Sequence, residues 1–579
     1  MANFTTPGVY IQEISTLPPS VAPVPTSIPV FIGYTETAII DGIQWPYTSG
    51  RPTEAIRITS MLEYRTIFGG ANGELFEATL TNNAVDISIS NSTDDDRDFR
   101  LFYHMQMFFA NGGGTCYIVS VGGFGPASTI DADKLVAGIA KAEKIDEITM
   151  IVVPEAMSAG VNDADRKAIN DTMLAQCNKL KDRFAIMDVL VRNTSIFDDA
   201  DKFRNVNVGA NNLSYGASYY PSFDAALDFV YTDANVTLDA SNPNLPADVQ
   251  DFDNKTLDFV NVGQATVVEI DFTNYTPWPE SATDTITING EEIDLGATAD
   301  ITALQAAIIA NPALNASITT ELSPTVSPTS IIITTNVSGG SIVITTSDGA
   351  VVPAPIADII VIPVTTGISP NGALYAAIKN AIGEYPVTLY PSATMAGVYA
   401  NVDTNRGVWK APANVGVTLV EKLNRNVTDS DQGALNVDAT SGKSINAIRN
   451  FSGRGILVWG GRTLDGNSNE WRYVNVRRTF LFIEDSCKKA SEFVVFEPND
   501  ANTWQSVKGT ISNFLNTIWR DGGLAGSKPE HAYFVKVGLG ETMSAQDILE
   551  GRLIVMVGLA VVRPAEFIVL QFEHKLQES

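Results

Sequence analysis

The chain has 579 residues, 45% of them hydrophobic and 18% charged, which excludes a mostly disordered protein and is too long for a single core. Asp and Glu number 66 against 38 Lys and Arg, a net charge of −28 that repels phosphate backbones and anionic lipid surfaces. No apolar run reaches the roughly 18 residues of a membrane span, so neither nucleic-acid binding nor direct membrane insertion is expected.

In chain order, residues 1–29 read as an arm. Val9-Tyr10-Ile11-Gln12-Glu13-Ile14 is a short β-prone stretch, and Pro18, Pro19, Pro23, Pro25 and Pro29 follow it. Proline at this density excludes helix and central strand and favours polyproline II, so residues 15–29 would span ~45 Å and carry the strand away from its own domain. Residues 30–230 open an α/β domain. Apolar strands at 30–33, 116–121, 148–153 and 184–190 are separated by helices at 60–68, 98–110, 131–144 and 163–181, which predicts a largely parallel sheet.

The composition then changes. Between Arg204 and Lys379 only Lys255 is basic, and Thr, Ile, Val, Asn and Asp prevail. Residues 231–367 therefore read as a separate, acidic, β-rich insertion. Within it, 284–293 is strand–turn–strand about Asn289-Gly290. A short helix at 301–309 follows, and strands at 330–335 and 341–346 flank a Gly339-Gly340 turn. A helix at 372–382 and an extended 387–390 return the chain to the α/β domain over 368–443. Residues 444–564 read as a C-terminal mixed domain with a strand at 456–459. Its helix at 476–489 puts Val476, Phe480, Ile483 and Cys487 on one face. Its helix at 503–520 carries the stripe Trp504, Val507, Ile511, Phe514, Ile518 and stops at Gly522-Gly523. Strands at 533–537 and 553–559 follow. Residues 565–579 form a second arm, in which Ile568, Leu570 and Phe572 alternate with Phe567 and Val569 across two faces. The expected fold class is α/β and α+β, multi-domain, with mixed sheets and flanking helices, a β-rich insertion and two extended arms.

Chemistry is scarce. The histidines are His104, in an apolar helix, His531 and His574, and neither HExxH nor GxSxG occurs. Gly112-Gly113-Gly114 and Val121-Gly122-Gly123-Phe124-Gly125 lack the spacing of phosphate loops and read as turns around one strand. Asp248, Asp251, Asp253 and Asp258 lack the spacing and glycine of a calcium loop. Cys116, Cys177 and Cys487 are far apart and odd in number, so no disulfide framework or metal pair can be drawn, and a reducing compartment fits better. The opening MANFTTPGVY has neither region of a secretory signal. No catalytic residue, cofactor or metal is expected. What stands out is two strand-like ends, and a lone strand is a liability unless a partner pairs it. Val9, Tyr10, Ile11, Glu13, Phe567, Ile568, Val569, Leu570 and Phe572 are thus expected to link subunits by strand donation.

Several runs then converge on one family. Tyr390-Pro391-Ser392-Ala393-Thr394-Met395-Ala396-Gly397-Val398-Tyr399-Ala400, Asp403 and Arg406-Gly407-Val408-Trp409-Lys410-Ala411-Pro412-Ala413-Asn414 resemble the signature of contractile tail sheath proteins. So do Trp459-Gly460-Gly461-Arg462-Thr463-Leu464, Trp471-Arg472-Tyr473-Val474-Asn475-Val476-Arg477-Arg478, Phe496-Glu497-Pro498-Asn499 and Pro564-Ala565-Glu566-Phe567. Thr6-Pro7-Gly8-Val9-Tyr10 resembles the family's start. The sequence departs at Tyr390, where the family commonly has a second proline, and across 231–367, where members vary.

The resemblance implies a tail-sheath-like fold and a structural subunit rather than an enzyme. Such subunits stack as hexameric rings around an inner tube in an extended, metastable state. Triggered at the baseplate, they contract and drive the tube through a target envelope. The implied partners are further copies of the chain, the inner tube protein, and baseplate and terminal cap proteins. The implied setting is assembly in the bacterial cytoplasm into a phage tail or contractile injection particle. On this reading 231–367 is expected on the outer surface, where like charge opposes bundling. The C-terminal domain is expected to face the tube, with Lys508, Arg520, Lys488 and Lys489 as candidate contacts. From the residues alone, a non-contractile self-assembling shell or surface-layer protein and a decorated α/β enzyme stay open. Electron microscopy separates them as striated tubes, flat lattices or discrete particles.

Overall fold

The computed structural model describes residues 21–45, 51–81, 84–89, 98–124, 130–192, 195–272, 284–323, 330–336, 342–347, 360–365 and 367–569. The chain forms two units. Unit 1 holds Met1–Asn72, Asp95–Leu227 and Pro386–Ser579, and unit 2 holds Gly73–Asp94 and Asp228–Tyr385.

Unit 1 is built on a nine-stranded sheet. Its strands are β1 (Pro29–Gly33), β2 (Ile56–Ile58), β3 (Cys116–Ser120), β4 (Met150–Val152), β5 (Phe184–Asp188), β6 (Gly216–Tyr220), β7 (Val415–Gly416), β8 (Asn446–Phe451) and β9 (Gly455–Val458), in the order β7-β9-β8-β6-β5-β4-β1-β3-β2. The middle of the sheet, from β8 to β3, is parallel throughout, and the edge strands β2, β9 and β7 are antiparallel. Every residue of β1, β3, β4, β5 and β6 is buried, as expected of parallel strands covered on both faces. The helices α1 (Met61–Phe68), α2 (Leu101–Ala110), α3 (Ala132–Ala142) and α4 (Asp163–Leu180) fall where the periodicity places them. β8 and β9 are a departure. They were expected in the C-terminal domain, yet Tyr219 and Tyr220 of β6 pair with Asn446 and Ala447 of β8. A partner more than two hundred residues away leaves no mark on local periodicity.

The run with the first family signature forms α5 (Ser392–Arg406). It is buried almost all round, against α2 and over β4 and β5, so it has no polar face to betray it in the sequence. Gly397 makes the crossing possible: a Cβ there would lie 2.5 Å from the Phe108 carbonyl oxygen of α2. Asp188, at the end of β5, caps α5. Its Oδ1 accepts the Ser392 N–H at 2.7 Å and its Oδ2 accepts the Ser392 hydroxyl.

The C-terminal part of unit 1 contains α6 (Val474–Ala490), α7 (Ala501–Arg520) and a two-stranded sheet of β10 (Tyr533–Lys536) and β11 (Met556–Leu559). Val507, Ile511, Phe514 and Ile518 of the expected stripe are buried, and Trp504 is half-buried with its indole N–H on Asn499 at 2.7 Å. On α6, Val476 and Ile483 are buried, whereas Phe480 and Cys487 are half-buried. The core formed here also takes in Val21. Each such side chain contributes roughly 1.5–3 kcal/mol of apolar burial.

Unit 2 contains three small sheets. In one, Val236–Asp239 pairs with Phe76–Leu80, which pairs with Val85–Ile89. The second runs Ile318–Ser323, Ser330–Thr335, Val267–Asp271, Ile360–Thr365, and the third Glu291–Asp294, Thr285–Ile288, Ile344–Ser347. Helix Ile301–Ala310 covers a core of Ile270, Ile286, Ile288, Leu304, Ile331 and Ile333. Asn289 and Gly290 both have positive φ, 50° and 85°, as a two-residue hairpin turn requires. Ser330–Thr335 and Ile344–Ser347 do not pair with each other but enter different sheets. Alternation shows that a strand has a buried face and does not choose its neighbour. The glycines between them, Gly339 and Gly340, lie outside the described residues.

Candidate functional site

Of the residues expected to link subunits, Val9, Tyr10, Ile11, Glu13, Leu570 and Phe572 lie outside the described residues. Phe567, Ile568 and Val569 are 72%, 79% and 80% exposed. They pair with no strand among the described residues.

The residue before them is held firmly. The Glu566 carboxylate receives Arg462 Nε at 2.9 Å and Nη2 at 2.6 Å, the Tyr473 hydroxyl at 3.0 Å and Asn436 Nδ2 at 2.6 Å. Arg462 is almost wholly buried. Burial pushes the Glu566 carboxyl up, but the hydrogen bonds from Arg462 and Asn436 outweigh it and hold the group below the usual carboxylate range. Beside it lies a groove of 510 Å³ whose walls include Trp459, Gly461, Tyr473, Pro564, Phe567 and Ile568. Asp429, Gln432, Asn436 and Arg449 also line it, so the groove is part apolar and part polar, with the Glu566 carboxylate fixed in its wall.

The other chain end enters unit 1 along the C-terminal helices. Val21 is buried in their core, the Val24 N–H donates to Ser486 Oγ at 3.3 Å, and the Thr26 carbonyl accepts from Arg478 Nη2 at 2.8 Å. The expected tether of residues 15–29 is thus fixed to its own subunit from Val21 on, because a buried side chain and two hydrogen bonds outweigh the stiffness of Pro23 and Pro25. Arg478 is itself locked by Asp403 through contacts of 2.9 and 2.6 Å, with both side chains nearly inaccessible, and its guanidinium lies 4.7 Å from the Tyr399 ring centre. Burial lowers the Arg478 pKa and Asp403 more than restores it.

The sheet of β10 and β11 packs Tyr533, Val535, Val557 and Leu559 on the helical core and turns Phe534, Lys536 and Met556 outward. Both of its outer edges lack a strand partner among the described residues. A two-stranded sheet is marginal by itself and has room for further strands on either side.

Among the cations expected to face a tube, Arg520 and Lys488 are exposed and Lys508 is half-buried. Lys489 is engaged by Asp146 and Asp485, both at 2.9 Å. The described residues hold no group of three or more His, Cys, Asp or Glu that could bind a metal, and no helix long and apolar enough to cross a membrane. Cys116 is buried, and burial drives its thiol well up. Arg462, Tyr473, Arg478, Asp403 and Glu566 all fall in the runs that resemble the family signature, and nothing in the sequence alone gives them a role.

Residues 467–575 match the phage tail sheath C-terminal domain family. The tail sheath protein of Vibrio phage KVP40 is 28% identical over 130 residues, which cover 22% of this chain and 19% of the phage protein. Two solved assemblies match in fold over nearly the whole chain. One is the contracted sheath complex of the extracellular contractile injection system PVC, with TM-score 0.52, 27% identity and 99% of each chain covered. The other is the baseplate of the anti-feeding prophage, with TM-score 0.53, 25% identity, and 99% of this chain and 100% of that chain covered. Residues 467–575 are thus similar to the phage tail sheath C-terminal domain, and the chain as a whole is similar in fold to the subunits of solved contractile sheath assemblies.

Proposed function

We propose that the protein is the sheath subunit of a contractile tail or contractile injection particle. It polymerises as stacked hexameric rings around an inner tube, is stored extended, and contracts to drive the tube through a target envelope. The observation that carries this reading is the pairing of supply and demand. Exposed Phe567–Val569 leave the body beside Glu566 without a strand partner among the described residues, and among them neither outer edge of the β10–β11 sheet carries a further strand. A strand from a neighbour supplies main-chain hydrogen bonds along such an edge, and alternate side chains set its register. A contact between different surfaces that does not close on itself extends into a helical tube.

On this reading both arms, from Val9-Tyr10-Ile11 and from Phe567 onward, fill edges on neighbouring subunits. The acidic residues 231–367 face outward. The C-terminal helices face the tube, where Lys508, Lys488 and Arg520 are better placed than Lys489, whose charge is already paired. The tube protein, baseplate and terminal cap are the further partners, with assembly in the bacterial cytoplasm. Deleting residues 2–16 tests the reading. The truncated protein should stay soluble, with the circular dichroism of the full chain, and should fail to form long sheaths in electron micrographs. Sheaths of ordinary length that contract would overturn it.

A further inference from the structure

Unit 1 carries an aromatic knob and a groove at opposite ends of one helix. Past Ala490, the last residue of α6, the chain makes a short loop before α7, and on it Phe496 stands fully exposed with φ 71°. A bulky side chain in the left-handed region is strained, and here no burial offsets the strain. The loop is nonetheless held. Val494 packs on the helical core and its carbonyl accepts the Glu497 N–H at 3.0 Å. Asn499 donates to the Arg552 carbonyl at 3.0 Å and accepts the Trp504 indole N–H at 2.7 Å. Glu492, Val495, Glu497 and Asp500 on the same loop are exposed. At the other end of α6, its N-cap residue Tyr473 lines the groove of 510 Å³ beside Glu566. There the small residues Ala411, Ala413, Gly433, Gly460 and Gly461 leave room against Trp459, and Asp429 pairs with Arg449 at 2.7 Å. Two further cations border the groove. Arg454 is exposed, donates to Asn414 in the wall and lies 5.4 Å from the Trp459 ring centre. Lys410 Nζ donates to the Ala411 and Ala413 carbonyls at 2.8 and 3.3 Å. Both cations bond there to neutral groups, so their charge is not neutralised by these contacts.

We propose that Phe496 of one subunit seats in this groove of a second copy of the chain. The proposal rests on the self-assembly reading above and adds to the arms a contact between folded bodies. The seventeen residues of α6 separate knob from groove by about 25 Å, so the anchored loop does not reach the groove of its own subunit. Because the two surfaces differ, the contact is head to tail, and its repetition builds a ring or a helix instead of a closed two-fold pair. The charges match as well: the loop presents Glu492, Glu497 and Asp500, and the groove is bordered by Arg454 and Lys410. The groove has the volume of clefts that bury ligands, enough for an aromatic ring between an indole and small side chains. A ring already fixed in position loses little freedom on docking, and buried aromatic anchors of this kind dominate interface energetics. The strained backbone at Phe496 thereby acquires a purpose, since it turns the ring away from its own subunit.

The test uses the full-length protein. Phe496→Gly relieves the left-handed backbone and removes the ring, so the free subunit should melt at or above the wild-type temperature. The yield of sheaths, by sedimentation and micrographs, should nevertheless fall by about tenfold or more. Sheaths lost together with a lower melting temperature would mean a folding role and overturn the proposal. Replacing Phe496 by p-azidophenylalanine keeps a ring there and identifies its neighbour. After illumination of assembled sheaths, the cross-linked peptide should come from the groove of a second copy, within residues 411–461. A product with an inner tube protein, with residues 2–16 or with any other part of the chain would refute the assignment. Charge reversal adds a second measurement: Arg454→Glu should lower sheath yield several-fold, and Arg454→Glu combined with Glu497→Arg should recover most of it, whereas equal losses in both would count against the contact. The deletion of residues 2–16 run alongside separates the two ideas. Long sheaths from that deletion sink strand donation and leave the knob standing. Sheaths abolished by the deletion but formed normally by Phe496→Gly sink the knob alone.

Discussion

Replacing Gly397 by alanine sets two opposed effects against each other at one site. Gly397 is in the middle of α5, where alanine is favoured over glycine by roughly 1 kcal/mol of helix propensity. Against that, the new methyl would sit 2.5 Å from the Phe108 carbonyl oxygen and 3.1 Å from the Asn111 Cβ. Carbon and carbonyl oxygen are comfortable at about 3.3 Å or more, so α2 and α5 must part by roughly 0.8 Å. The obstacle is backbone, which cannot rotate away, and overpacking of this kind costs about 1–3 kcal/mol or more. The movement also strains the hydroxyl contact, 2.7 Å, between Tyr219 of β6 and Tyr399, two residues further along α5. The net expectation is a loss of ~1–2 kcal/mol despite the better helix former. Gly433→Ala is the control. It lies in the helix Asp429–Asn436 with nothing within 4 Å of the added Cβ, so it should stabilise by ~0.5–1 kcal/mol. Guanidinium unfolding followed by tryptophan fluorescence reads both, since every tryptophan except Trp278 lies in unit 1. The midpoints should move in opposite directions with unchanged slopes. If Gly397→Ala raises the midpoint as Gly433→Ala does, the close crossing of α2 and α5 is wrong.

Arg478→Met leaves the Asp403 carboxylate buried without its partner and should cost about 3–5 kcal/mol, whereas Arg478→Met with Asp403→Leu should recover most of that loss. Equal midpoints for the single and double variants would remove the pair from the account. Burial pushes the Asp188 carboxyl up to about 7, against hydrogen bonds from Ser392 that favour its charge. A folded pKa above the unfolded one means the native state binds the extra proton, so this group's contribution falls as pH rises from about 4 to about 7. Asp188→Asn, which can still accept the Ser392 N–H, should therefore gain on wild type between pH 5 and pH 8 in urea midpoints; parallel profiles would show that Asp188 is not the titrating group.

β1, β3, β4 and β5 and the helices α1 to α4 were legible because parallel strands are short apolar runs and the helices between them carry a buried stripe, whereas β6, in the middle of the sheet, was not expected. Asn289-Gly290 was legible because few residues tolerate two successive positive φ angles. α5 was not legible as a helix, since its residues 392–400 are all buried and so show no period to read. The placement of β8 and β9, the separate sheets of Ser330–Thr335 and Ile344–Ser347, and the docking of Val21–Ile28 were also beyond the sequence. Each depends on a partner far along the chain, and local pattern carries no information about distant partners. The same holds for the site. Composition and spacing gave the expectation of strand-like ends, and runs such as Arg406–Asn414 carried the resemblance to sheath proteins. That the Glu566 carboxylate is held by Arg462, Tyr473 and Asn436 was decided only by the tertiary fold, because Asn436, Arg462, Tyr473 and Glu566 become neighbours only when the chain has folded.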